Sequence, residues 1–204
     1  QLSNAESWTT DLSGLRPHQI ANKGMVRTFQ LTKSLAKMTV IDNMLLGAAE
    51  QKGESLRNAL LPSRWQKQEK EILEKAEDLL ERFKLSHMRD EYAATLSGGQ
   101  RKLLEMARAL MSEPKLILLD EPMAGVNPVL VESLLVHIEN LRDEGVSVLF
   151  IEHDMDAIMG ISDWIVVLAE GQVIAEGTPS DVSKNPAVID AYLGSAIAEE
   201  LKDV

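Results

Sequence analysis

The chain has 204 residues, 45% of them hydrophobic and 26% charged, which is typical of a globular domain with one sizeable core. Its formal net charge of −11 repels phosphate backbones and argues against non-specific nucleic-acid binding, although docking on other proteins remains open. Because there is no cysteine, disulfides and thiolate metal sites are excluded, and no apolar run approaches the roughly 18 residues of a membrane helix.

Turn residues, caps and apolar spacing predict the elements of the first half of the chain. Residues 1–14 are polar and aperiodic, and we interpret them as disordered or as a remnant. The elements expected next are a helix from Pro17, a strand over 25–29, a helix over 40–50 capped by Thr39, a loop over 53–64 and a long helix over 65–83. Apolar residues in the long helix recur every three or four positions, which predicts one buried face.

The second half alternates strands and helices. The expected elements are a helix over 98–111 capped by Ser97, a strand over 115–119, a helix over 127–143, a strand over Ser147–Ile151, a helix over 154–160, a hairpin of 164–169 with 172–175, and short helices from Thr178 and Asn185. Residues 195–204 are expected to form a flexible tail. This alternation indicates an α/β fold with a parallel sheet.

The segment Leu-Ser-Gly-Gly-Gln at residues 96–100 joins a cap-type serine to two glycines at the start of a helix. Glycine lets the backbone approach an anion closely, and a helix N-terminus offers unpaired N–H groups and a positive dipole end. The segment therefore predicts a phosphate-binding turn made of Ser97, Gly98, Gly99 and Gln100. A simple capped loop is the alternative that the segment alone leaves open.

Two acids, Asp120 and Glu121, follow an apolar strand, where open α/β sheets place their ligands. One carboxylate can hold Mg²⁺ through water, and the other can orient or deprotonate an attacking water. Taken alone, a strand that ends in a solvated acidic turn explains these two residues equally well.

Two further polar residues follow predicted strands, His153 and Gln30. A histidine in this position can stabilise a terminal phosphate, and a glutamine amide can ligate a metal or orient water. Most isolated histidines and glutamines have no such role. Taken alone, each of these two residues is therefore better explained as an ordinary surface or core residue.

The order of these four features resembles the ABC ATPase family over about residues 14–194. The matching positions are Gln30 as the Q-loop glutamine, Leu96 to Gln100 as the signature motif, Leu116 to Asp120 as the Walker B strand, Glu121 as the catalytic glutamate, Ala124 to Asn127 as the D-loop and His153 as the switch histidine. The resemblance implies that Gln30, Ser97 to Gln100 and Asp120 bind ATP, and that Gln30 and Asp120 hold Mg²⁺.

The resemblance also implies the architecture and the partners. Residues 15–194 would form a partial ABC ATPase domain of the P-loop NTPase class, with a RecA-like parallel sheet and a helical subdomain at about 38–112. The segments at 14–17, 26–30, 124–128 and 185–194 look like the nucleotide-binding subunits of branched-chain amino-acid importers, and urea and amide importers share them. Such a subunit is an ATP hydrolase that dimerises with a second ABC ATPase subunit. It associates with the membrane through transmembrane permease subunits, at the cytoplasmic face of the plasma membrane, and binds no nucleic acid.

The family's phosphate loop, G-x-x-x-x-G-K-[ST], has no match in the 204 residues. We therefore expect an N-terminally truncated domain that alone neither binds ATP tightly nor hydrolyses it. In related proteins the strand before that loop lies beside the strand matching Ser147–Ile151, so an unpaired edge is also expected.

Two alternatives remain. The first is a truncated or degenerate, non-hydrolysing subunit that contributes only its signature motif to a partner's ATP site. The second is an ABC ATPase of DNA repair or translation. It fits less well, because only about sixty-five residues separate Gln30 from Leu96 and the net charge is acidic.

Overall fold

The structure is a computed structural model that describes residues 11–28, 35–49, 51 and 65–191. Predictions for residues 1–10, Gln30, the loop at 53–64 and the tail at 195–204 lie outside the described residues. The chain forms two compact units, Gln1–Ile151 and Glu152–Val204. The helical subdomain predicted at about 38–112 falls within the first unit and stays a prediction. None of the helices in the described ranges has the length and apolar character needed to cross a bilayer.

The first unit is an α/β layer structure built on a parallel sheet. Its elements are α1 (Pro17–Ala21), β1 (Met25–Arg27), α2 (Val40–Leu45), α3 (Gln66–Arg82), α4 (Gly98–Leu110), β2 (Leu116–Asp120), α5 (Pro128–Asp143) and β3 (Ser147–Ile151), with short 3₁₀ turns at Ser86–Met88 and Ala93–Thr95. The strand order is β1-β2-β3, and all pairs are parallel. The predicted parallel sheet is thereby confirmed.

Local cap chemistry starts most of these helices where the sequence predicts. Thr39 caps α2, Ser97 caps α4 and Asn127 caps α5, each by accepting a backbone N–H of the first turn. The prediction for α2 was too long, since the helix ends at Leu45 and not near residue 50. The chain turns at Gly47, which packs so closely on α4 that a Cβ there would lie 2.4 Å from the Arg108 carbonyl oxygen.

The core of the first unit lies between the sheet and the helices. Ile117 and Leu119 of β2 are fully buried, and so are Leu80 and Phe83 at the end of α3. In the described part of the chain β3 pairs with β2 alone. Two apolar side chains of β3 are exposed, Leu149 by 54% and Ile151 by 60%. Within the described ranges this edge of β3 has no strand partner, and the cause that the resemblance implies, a missing strand, stays a prediction.

The second unit contains α6 (Met155–Ile161), β4 (Ile165–Ala169), β5 (Gln172–Gly177), α7 (Pro179–Val182) and a helical stretch at 186–191. The predicted hairpin is confirmed, and its turn uses left-handed backbone at Glu170 (φ +50°) and Gly171 (φ +78°). Its β5 strand runs two residues further than predicted. Its buried core consists of Ile165, Ala175, Val182 and Val188.

Candidate functional site

The acidic pair lies at the carboxyl end of the central strand β2. Asp120 is the last residue of that strand, and Glu121 begins the turn that leads to α5. Glu121 has φ of +45°, a left-handed conformation that disfavours residues with a Cβ. Its N–H donates to the Ile151 carbonyl at 2.9 Å, so the end of β3 anchors this turn. The predicted placement of both acids at the sheet edge is therefore correct.

Arg27 is part of this edge, and sequence reasoning missed it. Its Nη2 donates to Asp120 Oδ2 at 2.8 Å, and the two side chains are 60% and 24% exposed. The sequence does hold a signal, because Arg27 lies in the strand predicted over 25–29, which Gln30 follows; the observed strand ends at Arg27. The pairing itself depends on β1 lying beside β2.

The predicted magnesium site consists of Asp120 and Gln30. The described residues contain no group of three His, Asp or Glu side chains that could hold a metal ion. Asp120 offers one partly exposed carboxylate, and the second predicted ligand, Gln30, lies outside the described residues. Magnesium in nucleotide sites is bound by one or two protein oxygens together with waters and phosphates, so Asp120 suits that kind of site.

The signature segment forms the N-terminus of α4, a helix of 13 residues. Ser97 Oγ accepts the Gln100 N–H at 3.2 Å, and Gln100 Oε1 accepts the Ser97 N–H at 2.9 Å. This reciprocal capping box holds the serine and the glutamine at the helix start. The remaining first-turn N–H groups have no partner within the helix, as an anion site requires.

The two glycines of the signature segment have different surroundings. A Cβ added to Gly98 would meet no atom of the described residues within 4 Å. A Cβ added to Gly99 would lie 2.6 Å from Leu130 Cδ1 and 3.4 Å from Val126 Cγ1. Gly98 therefore leaves open space at the helix end, whereas Gly99 lets α4 pack against the start of α5.

Lys102 joins the signature helix to the acidic turn, which sequence reasoning also missed. Its Nζ donates to the carbonyl oxygens of Glu121 at 2.8 Å and Ala124 at 2.6 Å. Lys102 lies three residues after Gly99 and so shares its helix face. The structure therefore links the helix that begins at the signature segment to the acidic turn, within one unit.

His153 belongs to the second unit and directly precedes Asp154, the cap of α6. Its side chain is 79% exposed, and its Nδ1 lies 3.7 Å from Glu152 Oε2. The Glu152 side chain is only 1% exposed, and Oε2 also accepts the His153 backbone N–H at 3.3 Å. The imidazole is thus accessible, with one nitrogen facing a buried carboxylate.

Sequence comparisons relate the chain to transporter ATPases. The sequence profile "ABC transporter" matches residues 3–124, and the profile "Branched-chain amino acid ATP-binding cassette transporter" matches residues 172–198. A probable branched-chain amino acid transport ATP-binding protein LivG of Archaeoglobus fulgidus is 48% identical over 189 residues, which span 93% of this chain and 73% of that protein. The high-affinity LivG protein of Escherichia coli K12 is 42% identical over 188 residues, 91% of this chain and 73% of the relative.

Solved structures show the same relationship. MJ1267, an ATP-binding cassette of an ABC transporter in its ADP conformation, aligns with a TM-score of 0.73 and 41% identity, over 91% of this chain and 74% of that one. The structure of cbiO1 from Clostridium perfringens, part of the transporter complex cbiONQ, aligns with a TM-score of 0.67 and 27% identity, over 91% of this chain and 70% of that one. The chain therefore belongs to the ATP-binding cassette family of ABC transporters, with the α/β fold of the P-loop NTPases.

Proposed function

We propose that this chain is the ATP-binding subunit of an ABC importer that couples ATP binding and hydrolysis to the uptake of branched-chain amino acids. The observation that carries the proposal is that the helix with its open end at Ser97–Gln100 is joined, through Lys102, to the carbonyls of Glu121 and Ala124 in the acidic turn. The names of the relatives support the transported class, and so does the profile match at residues 172–198.

The start of α4 would bind the terminal phosphate of a nucleotide held by a second ABC subunit. Its first-turn N–H groups and its positive dipole end favour an anion there. The free space beside Gly98 allows close approach of the phosphate, because no side chain intervenes. Ser97 and Gln100 keep this end of the helix in shape through their capping box.

The acidic edge would carry the hydrolytic chemistry. Asp120 and Gln30 would hold Mg²⁺, which when bound neutralises charge on the phosphate oxygens. The Glu121 carboxylate would orient the attacking water and accept its proton. His153 would donate from Nε2 to the terminal phosphate, because its Nδ1 faces Glu152.

The partners proposed are a second ABC ATPase subunit, identical or paralogous, and transmembrane permease subunits at the cytoplasmic face of the plasma membrane. The region of about residues 31–89 would meet the permease. Nucleic acid is not among the proposed partners, because the net charge is −11.

A second candidate function is a non-hydrolysing subunit, because the helix end at Ser97–Gln100 takes its shape from its own capping box and does not depend on Glu121. A subunit of this kind would contribute only Ser97–Gln100 to a partner's nucleotide.

Uptake in the organism that encodes the chain tests both functions. Deletion of the gene should lower the uptake of labelled leucine, and the wild-type gene should restore it. Glu121→Gln should fail to restore uptake, whereas Glu170→Gln should succeed. Glu170 is a matched control, since it is also a left-handed glutamate but lies in the hairpin turn.

Each of the other outcomes has a distinct meaning. Uptake restored by Glu121→Gln but not by Gly98→Asp would favour the signature-only subunit. Loss of labelled urea or acetamide uptake, with leucine uptake intact, would change the transported class. No effect of the deletion on any of these solutes would refute the importer.

A further inference from the structure

The Lys102 ammonium is half-buried and bridges two backbone carbonyls of the acidic turn. It donates to Glu121 at 2.8 Å and to Ala124 at 2.6 Å, two residues that lie 19 and 22 positions further along the chain. Hydrogen bonds from a charged donor are stronger than those between neutral groups. This lysine therefore contributes to the shape of the turn far more than a solvated surface lysine would.

The turn needs such support because Glu121 is left-handed, with φ of +45°. Residues with a Cβ adopt this conformation only where their surroundings over-determine it. Here the Glu121 N–H donates to Ile151 at 2.9 Å, and the Glu121 carbonyl accepts the Ala124 N–H at 3.2 Å in addition to Lys102. Both peptide groups that flank the Glu121 Cα are thus fixed, which fixes the direction of its Cα–Cβ bond.

A second contact packs the start of α4 against residues that follow the acidic turn. Gly99 packs so closely that a Cβ would lie 2.6 Å from Leu130 and 3.4 Å from Val126. Gly99 and Lys102 share one face of α4, so one face of the helix supplies both the close packing and the ammonium. The acidic turn is therefore built on the start of α4.

We propose that Lys102 is a positioning residue for Glu121, which it holds through the Glu121 and Ala124 carbonyls. This inference rests on the proposed function, because only that function makes Glu121 the catalytic carboxylate. Lys102 itself does not contact the reacting atoms in this account. It transmits the position of the phosphate-facing end of α4 to the carboxylate of the same chain.

The Glu121 carbonyl can be observed selectively by NMR. The sequence contains two Glu-Pro pairs, Glu113-Pro114 and Glu121-Pro122. With ¹³C-carbonyl glutamate and ¹⁵N-proline, the full chain gives one carbon–nitrogen correlation for each pair. Loss of a charged donor shifts a carbonyl carbon upfield. Lys102→Met should therefore shift the Glu121 signal upfield and leave the Glu113 signal in place, and Lys102→Arg should restore the Glu121 signal towards its wild-type position.

Lys75 provides the matched control. Its Nζ donates to the Met111 carbonyl at 3.1 Å and to the Glu113 carboxylate at 2.7 Å, at the other end of α4. Lys75→Met should leave the Glu121 signal unchanged. Hydrogen exchange gives a second readout, because the Ala124 N–H should exchange about tenfold faster in Lys102→Met and not in Lys75→Met.

Transport assays test whether the position of Glu121 set by Lys102 matters for function. In the leucine uptake assay Lys102→Met should lower uptake severalfold, and Lys102→Arg and Lys75→Met should retain it. A Glu121 signal and Ala124 exchange rate that stay at wild-type values in Lys102→Met would overturn the proposal. Unchanged uptake in Lys102→Met, in an assay where Glu121→Gln fails to restore uptake, would also overturn it.

A measurement on the wild-type chain tests the proposal even if Lys102→Met does not fold. The Lys102 ammonium protons should exchange with water more slowly than those of Lys67 and Lys70, whose side chains are 89% and 78% exposed. Equal exchange rates would contradict the proposal. The NMR measurements use no nucleotide, so they stand even if uptake shows that the importer function is wrong.

Discussion

Arg27 and Asp120 form an ion pair between neighbouring parallel strands, with 2.8 Å between Nη2 and Oδ2. The pair joins the strand that leads to Gln30 with the strand that ends at the acidic turn. The carboxylate that the family resemblance assigns to Mg²⁺ therefore already has a fixed cation beside it. Because Arg27 is 60% exposed, solvent screens this attraction strongly.

The Arg27–Asp120 pair is expected to contribute little to stability. Arg27→Met should lower the free energy of unfolding by less than about 1 kcal/mol, because exposed ion pairs are screened by water. Urea unfolding of Arg27→Met, Asp120→Asn and the double variant measures the coupling between the two residues. A coupling free energy above about 2 kcal/mol would show that the pair is a structural element of the sheet.

The two signature glycines should respond differently to alanine. Gly98→Ala should leave the free energy of unfolding unchanged or raise it by up to about 1 kcal/mol, because the space is open and alanine suits a helix. Gly99→Ala should be less stable than Gly98→Ala by about 1 kcal/mol, because the end of the Leu130 side chain must shift to admit the new methyl group. Thermal or urea unfolding of both variants compares them directly. Equal effects on stability would contradict the packing described for Gly99.

His137 is a buried histidine in α5 that the proposed chemistry does not use. Its ring stacks on Phe83 with centroids 4.2 Å apart, and it is 6% exposed. Within the described residues neither ring nitrogen has a hydrogen-bond partner. Burial lowers the pKa of His137 from its ordinary value of 6.5, and the positive charges of Arg82 and Lys84 lower it further.

The lowered pKa predicts acid sensitivity. The unfolded chain takes up a proton near pH 6.5 while folded His137 stays neutral, so stability is complete above that pH and falls as the pH drops towards the folded pKa. The slope should be at most about 1.4 kcal/mol per pH unit.

A phenylalanine substitution tests the origin of this acid sensitivity. His137→Phe keeps the aromatic stack and should reduce the loss of unfolding free energy between pH 7 and 5, measured by urea unfolding. His87→Gln replaces an exposed histidine and should leave that loss unchanged. If the unfolding free energy of His137→Phe falls as steeply with pH as that of the wild type, other groups cause the acid sensitivity.

Local chemistry explains what could be predicted. Thr39 and Ser97 cap their helices as expected, because a cap depends on residues within one turn. The early end of α2 was not predictable, since Gly47 packs against Arg108 on a different helix.

Arg27 and Lys102 could not be predicted as part of the site, for the same physical reason. Arg27 lies 93 positions from Asp120, and Lys102 lies 19 positions from Glu121, so only the fold brings each pair together. The order of the motifs identified the family, which the comparisons confirm. The roles of Gln30, Glu121 and His153 stay predictions, because a role depends on the nucleotide that these residues would meet.

Glu121 and His153 are proposed to act on the terminal phosphate of a nucleotide. ATP hydrolysis by the subunit, purified with its partner subunits from the organism that encodes it, provides the decisive test when the wild type is compared with Glu121→Gln and His153→Ala. We predict that the wild-type complex hydrolyses ATP and that each substitution abolishes turnover. Turnover that is equal in all three complexes would contradict these roles.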